Sequence, residues 1–448
     1  MDGLYNPSIM MIGNIMKEEI MKKWKIFVGV VVIALILCTG LTFAGGKKEA
    51  ETADEKKVTI TVTSWRTEDV AGMNKLHAAF QKKNPNIQVD FAPVKNTEYY
   101  AQLGTALETG TGVADVISLH SYGTGLGIYK GGHLAELQDA FPEINNVSSQ
   151  AKEPWSSNGV VYGIPWIAVS HGIYYNKDIF DEYGLTEPET WEEFIEACDT
   201  LAENGVTPIA AGSKDSWTLN AMHYCNYGST FYGGEKSRQD LMAGTMKVTD
   251  ELFIEAFEKV NSLVKYFSKG YQAIDYVSSQ QMFITEQAAI FPGGSWEIAP
   301  FDNMGLDFDL GWFPPPVKKK GDKITYVWNA GLGMGMYKDT PHPEEVKKYL
   351  AWMLTPEAST ITMNVLPGFY SYLPGDYELD NPLSIEMFNV SLDAELTERL
   401  TYEKLSDQEP SGTALFYEGL TKMVNGELSP AETAEYIQER LESWYPFK

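Results

Sequence analysis

Cysteine is nearly missing from this chain, with three in 448 residues. Cys38 falls in a leader-like segment, which leaves Cys198 and Cys225, and neither stands in a C-x-x-C arrangement. That spacing argues against zinc and dithiol redox chemistry. Cys198 falls on the apolar side of a helical pattern, so a buried free thiol is expected there rather than a disulfide to Cys225. Basic residues are also scarce: 35 Lys and Arg face 61 Asp and Glu, a formal charge of −26. The chain therefore lacks the basic footprint that phosphate backbones require, and no nucleic-acid partner is expected. An anionic membrane surface would repel it too. Its acid is spread along the sequence, as suits an exported protein that must stay soluble; a cationic solute such as a polyamine is the alternative reading.

Catalytic signatures are missing as well. Six His residues are scattered, none at the i, i+4 spacing of a zinc helix, and His171 and His223 can meet only through folding. Gly294-Ser295-Trp296 lacks the trailing Gly of a nucleophile elbow. Gly331-Leu332-Gly333-Met334-Gly335-Met336 puts Met336 where a dinucleotide fingerprint needs Gly. There is no P-loop Lys-Ser or Lys-Thr, no internal repeat and no low-complexity stretch. No pair of carboxylates stands out as that of a glycosidase, which leaves a secreted glycosidase as the remote enzyme alternative. No metal and no cofactor are expected.

What the chain does have is length and aromatic rings. It exceeds a single core, since domains commonly run to about 100–200 residues. Eleven Trp and 25 Tyr supply flat apolar faces with polar rims, which permits a carbohydrate ligand without requiring one. At the start, Met21-Lys22-Lys23-Trp24-Lys25 precedes an apolar run from Ile26 to Leu37 and a small-residue site at Thr42-Phe43-Ala44. This is the pattern of a secretory signal peptide over residues 1–44, with translation expected to begin at Met16 or Met21. An uncleaved anchor and a lipidated Cys38 are the competing readings, although Leu37 is bulky for a lipobox. Residues 45–55 read as a polar tether.

The rest alternates between periods of two and 3.6. Val58, Ile60 and Val62 mark a strand. Val70, Met73, Leu76 and Phe80 mark a helix that Asn84-Pro85 stops. Ile87–Phe91 is a second strand, and Tyr100, Leu103 and Leu107 share one face of a second helix. Val113–Leu119 is a third strand, apolar enough for a buried parallel sheet. Later, Thr190-Trp191-Glu192-Glu193 and Ser429-x-x-Glu432 are capping boxes, the first opening a helix that buries Phe194, Ile195, Cys198 and Leu201. The second opens a final helix carrying Tyr436, Ile437, Arg440 and Leu441. The pattern is α/β, in two units without a long linker.

The most specific stretch is Tyr162-Gly163-Ile164-Pro165-Trp166, followed by Tyr174-Tyr175-Asn176-Lys177-Asp178 and Pro188-Glu189-Thr190-Trp191-Glu192-Glu193. Ala289-Ile290-Phe291-Pro292-Gly293-Gly294-Ser295-Trp296 and Asn425-Gly426-Glu427-Leu428-Ser429-Pro430 add to it. Together these resemble the extracellular solute-binding proteins of carbohydrate ABC importers, the maltose-binding-protein-like group. The resemblance implies two doubly wound α/β lobes joined by a hinge, the type II periplasmic-binding-protein arrangement. It assigns residues 56–168 and 331–376 to one lobe, and 172–326 and 379–448 to the other. It further implies a monomer, exported or tethered outside the cytoplasmic membrane, that captures a carbohydrate without cleaving it and delivers it to a membrane permease.

Ligands of such folds settle between domains, beyond the carboxyl ends of strands. Trp65 and Arg66 follow the first strand, where Arg66 could fork onto hydroxyls or a carboxylate. His120, Ser121 and Tyr122 follow the third. Trp166 precedes the first crossing and faces either cleft or core. By resemblance, Trp217 and Trp296 occupy positions where relatives stack an aromatic on sugar, and Glu297, Asn329 and Tyr370 are candidates for hydroxyl contacts. Thr413 stands roughly where some relatives carry a further Trp.

Overall fold

The computed structural model describes residues 57–448, so the leader and the tether lie outside the described residues. β1 (Val58–Thr63), β2 (Ile87–Phe91) and β3 (Val116–Leu119) form a parallel group, with helices Val70–Lys83 and Asn96–Thr109 as the crossovers. β3 begins three residues later than the apolar run suggests. At that edge the Asp115 carboxylate, rather than a backbone carbonyl, accepts the Thr61 N–H at 2.7 Å, so pairing starts only beyond it. Helix Asn96–Thr109 buries Tyr99, Leu103 and Leu107, while Tyr100, expected on that face, is half-buried to one side.

A short hairpin, β4 (Ser156–Ser157) with β5 (Val160–Val161), leads into the long β6 (Ile164–Asn176), all 13 residues of which are buried. β7 (Thr207–Ile209), β8 (Ala288–Gly294), β9 (Leu310–Phe313), β10 (Thr325–Met336), β11 (Tyr370–Ser371) and β12 (Glu395–Thr397) complete the strands. The main path is β2-β1-β3-β10-β6-β8-β7; β9 and β11 pair with β6, and β12 pairs with β10. β6 is antiparallel to β10 over Ile164–Ser170, then antiparallel to β8 and β9 over the rest of its length. A strand that changes partners halfway links two bodies of sheet. In the β6–β10 ladder, Ala330 faces Ala168 and Leu332 faces Ile167, so Gly331 is supernumerary on β10. Gly333 then faces Pro165, so Trp166 is supernumerary on β6 and the original register returns.

Each body has its own apolar core. One gathers Ile60, Val62, Leu76, Phe80, Ile117 and Leu350. Another gathers Phe194, Ile209, Tyr224, Phe257, Phe416 and Ile437, flanked by a third cluster around Phe283, Phe291, Phe301 and Trp312. Fully burying one such side chain is worth roughly 1.5–3 kcal/mol. Both capping boxes form: the Thr190 and Ser429 hydroxyls accept from the N–H groups of Glu193 and Glu432, whose carboxylates reach back. The structure is thus two α/β lobes hinged through β6 and β10. Cys198 and Cys225 are buried and unpaired. Among the described residues no helix is long and apolar enough to cross a membrane.

Candidate functional site

Each α/β body presents the carboxyl ends of its strands toward the other, as parallel winding dictates. A cavity of about 930 Å³ opens there, lined by the segments after β1, β3 and β8 and by Asn329, Gly331 and Leu332 of β10. That volume lies within the roughly 300–1,000 Å³ typical of sites that enclose a small ligand.

From the first lobe, Trp65 lies against His120, ring centres 3.8 Å apart and stacked. Burial, aided by the nearby Arg399 charge, lowers the His120 pKa to about 3. The neutral imidazole accepts from the Tyr100 hydroxyl at 2.8 Å, and that oxygen accepts from the backbone N–H of His120 at 3.0 Å. The cluster therefore presents rings rather than charge. Ser121 lines the cavity while its hydroxyl donates to the Ala330 carbonyl at 3.0 Å. Tyr122, at φ 56°, turns the chain into helix Gly123–Lys130. Arg66 lines the wall, but its fork is taken: Nε and Nη2 donate to Asp69 at 2.6 and 2.8 Å, and Nη1 pairs with Glu68 at 3.1 Å. The expected fork onto a ligand is spent on its own helix entrance.

From the second lobe come Trp217, half-buried and edge-on to Tyr276 with centres 4.8 Å apart, and Trp296. The Trp296 indole lies so close over Gly294 that a Cβ there would approach it to 2.0 Å. Its Nε1–H donates to Glu297 at 2.9 Å. Asn329 reaches the same wall, its Oδ1 3.0 Å from His171 Nε2. Trp65, Arg66, His120, Ser121, Trp217, Trp296 and Asn329 are therefore brought together around one space.

Three expected residues stand behind the lining instead. Ile167 and Val169 line the cavity, whereas the surplus residue Trp166 is buried one layer behind it, edge-on to Phe369. Glu297 is fully buried and accepts from Tyr276, Gln280 and Trp296. Tyr370 is buried, stacked on Trp328, with its hydroxyl donating to the Ser384 carbonyl at 3.0 Å. The sequence reading missed Tyr276, Phe369, Arg399, Tyr402 and Tyr417, all of which line the cavity. Thr413 lines it too. Among the described residues no cluster of three or more His, Cys, Asp or Glu gathers to hold a metal.

Set beside known proteins, residues 64–360 match the family model of bacterial extracellular solute-binding proteins. The chain is 28% identical over 339 residues to a multiple sugar-binding protein of Streptococcus mutans, covering 73% of this chain and 79% of that one. It is 24% identical over 347 residues to a melibiose/raffinose/stachyose-binding protein of Bacillus subtilis, covering 73% and 76%. Among solved structures, a chitin oligosaccharide binding protein superposes with a TM-score of 0.71 at 22% identity, over 86% of this chain and 98% of the other. A binding protein in complex with raffinose gives 0.70 at 24% identity, over 86% and 99%. These structures share the fold, and the family model covers most of the chain: it belongs to the bacterial extracellular solute-binding proteins.

Proposed function

We propose that the protein captures a sugar or short oligosaccharide in the cavity between its lobes and delivers it, uncut, to the permease of an ABC importer. The observation that carries this reading is the facing of aromatic walls: Trp65 from one lobe, Trp217 and Trp296 from the other, with hydroxyl, amide and guanidinium groups between them. Indole faces cover the C–H surfaces of a sugar ring. Each sugar hydroxyl taken from water must find a partner, which gives specificity. The named binding activities of the relatives agree with this. The wall sets Arg66, Lys95, Lys214 and Arg399 against Glu68, Glu108, Asp215 and Glu409, so no surplus of acid gathers there to hold a polyamine.

On this reading the lobes are residues 56–168 with 331–376, and 172–326 with 379–448, and the protein works as a monomer outside the cytoplasm. Contacts from both lobes exist only when the cleft is shut, so the ligand biases the hinge toward closure. The test is calorimetry against a panel of di- and trisaccharides, with chromatography of the recovered sugar. At least one should bind and return intact, and a Trp217→Ala/Trp296→Ala variant that still folds should lose it. Undiminished capture by that variant, or binding of putrescine or spermidine in place of every saccharide, overturns the reading.

A further inference from the structure

The chain has four arginines. Arg66 and Arg238 are each gripped by a carboxylate, at 2.6 and 2.7 Å. Arg399 lies on the cavity wall and makes no ion pair among the described residues. Its Nε–H donates to His171 Nε2 at 3.3 Å and its Nη1 to the Tyr402 hydroxyl at 2.9 Å. No described residue accepts from Nη2. The adjoining acid, Glu398, does not answer it. Its oxygens accept the backbone N–H of Ala330 at 3.2 Å and that of Arg399 itself at 3.0 Å. The guanidinium carbon lies 5.7 Å from the centre of the Trp296 ring and 5.5 Å from that of Tyr402. A group that covers this indole therefore lies alongside a cation with donors to spare.

Resting on the sugar reading above, we infer that the ligand is an acidic saccharide and that Arg399 receives its carboxylate. A guanidinium offers parallel N–H groups at the spacing of two carboxylate oxygens, whereas a hydroxyl offers one acceptor. Leaving that cation in a partly desolvated wall without an anion is unfavourable, and a bound carboxylate relieves it. A uronate fits the surroundings as well as the charge. Its carboxylate projects from the rim of the ring at C5, so the C–H face can rest on Trp296 while the anion reaches the neighbouring guanidinium. Of the other cations in the lining, Arg66 is fully engaged, Lys214 is 3.8 Å from Asp275, and Lys95 is exposed, where solvent and salt screen its charge.

The test is calorimetry of the protein with di- and trisaccharides of glucuronic and galacturonic acid, each beside its carboxyl-reduced neutral counterpart, and with glucose 6-phosphate. At least one uronate should bind tenfold or more tighter than its neutral counterpart. Arg399→Gln should erase that difference, and Arg399→Lys should restore part of it. The Arg399→Gln protein should keep its circular dichroism and melting temperature, and an Arg440→Gln variant should keep the preference. Equal or tighter binding of the neutral saccharides overturns the carboxylate assignment and leaves the sugar reading standing. Preference for the sugar phosphate over every uronate overturns it likewise. Failure of every saccharide, acidic and neutral, overturns both.

Discussion

Glu297 sits at the back of the Trp296 wall with no exposed surface, receiving hydrogen bonds from Tyr276 at 2.7 Å and Trp296 at 2.9 Å. Burial outweighs those donors and raises its pKa from 4.5 to about 7. In the unfolded chain the carboxyl loses its proton first, so the unfolded state gains on the folded one as pH rises between those values. Its contribution is whole below pH 4.5 and lost as pH passes 7. Glu297→Gln should therefore shift the balance of stability between pH 5 and pH 8 toward pH 8 by about 2 kcal/mol, read from urea unfolding at the two values. A variant whose pH dependence matches the parent would show that this carboxyl ionises freely. At this scale the sequence was uneven as a guide. Trp217 and Trp296 were legible through resemblance, and Trp65 through its place just after a strand. Arg399 was not, because it follows a three-residue strand in no recognisable motif. Trp166 was left between core and cleft because only the pairing of β6 settles which face it takes.

Among the elements, three strands accept indoles, one of them β10, where a Cβ at Gly333 would lie 2.4 Å from Trp155. At Gly172 in β6 an added Cβ would lie 1.9 Å from Trp312, and at Gly294 in β8 it would lie 2.0 Å from Trp296. The Trp312 ring cannot withdraw without disturbing a packed layer, whereas Trp296 borders the cavity. Gly172→Ala should cost about 1–3 kcal/mol by overpacking, seen as a lower urea midpoint. Gly294→Ala strikes the cavity wall itself, so saccharide affinity should fall at least tenfold by calorimetry; unchanged affinity would mean that the Trp296 face is not used. Capping boxes and the early strand–helix alternation were readable because each rests on neighbours in sequence. The π-helix Leu219–Gly228 was not. All ten of its residues are buried, and burial on every side erases the periodicity that marks an amphipathic helix.

For the molecule as a whole, contacts already bridge the cleft. Arg66 Nη2 donates to the Trp296 carbonyl at 3.2 Å, and Tyr122 meets Tyr402 with ring centres 5.8 Å apart. A saccharide that adds to them at 100 times its Kd should stabilise the protein by about 2.7 kcal/mol, measured as a raised melting temperature. Small-angle scattering should show a smaller radius of gyration with ligand; a raised melting temperature with an unchanged radius would separate binding from closure. The two-unit α/β plan was legible from alternation, whereas the joining of β3 to β10 and of β6 to both halves depends on pairings between distant segments. Those pairings include the surplus residues Gly331 and Trp166, whose opposite offsets cancel within a few positions. Deleting either alone would leave the other uncorrected, and every side chain beyond it on that strand would exchange inside for outside. Evolution can lengthen or trim the surrounding loops freely, but at this waist it must change both strands together.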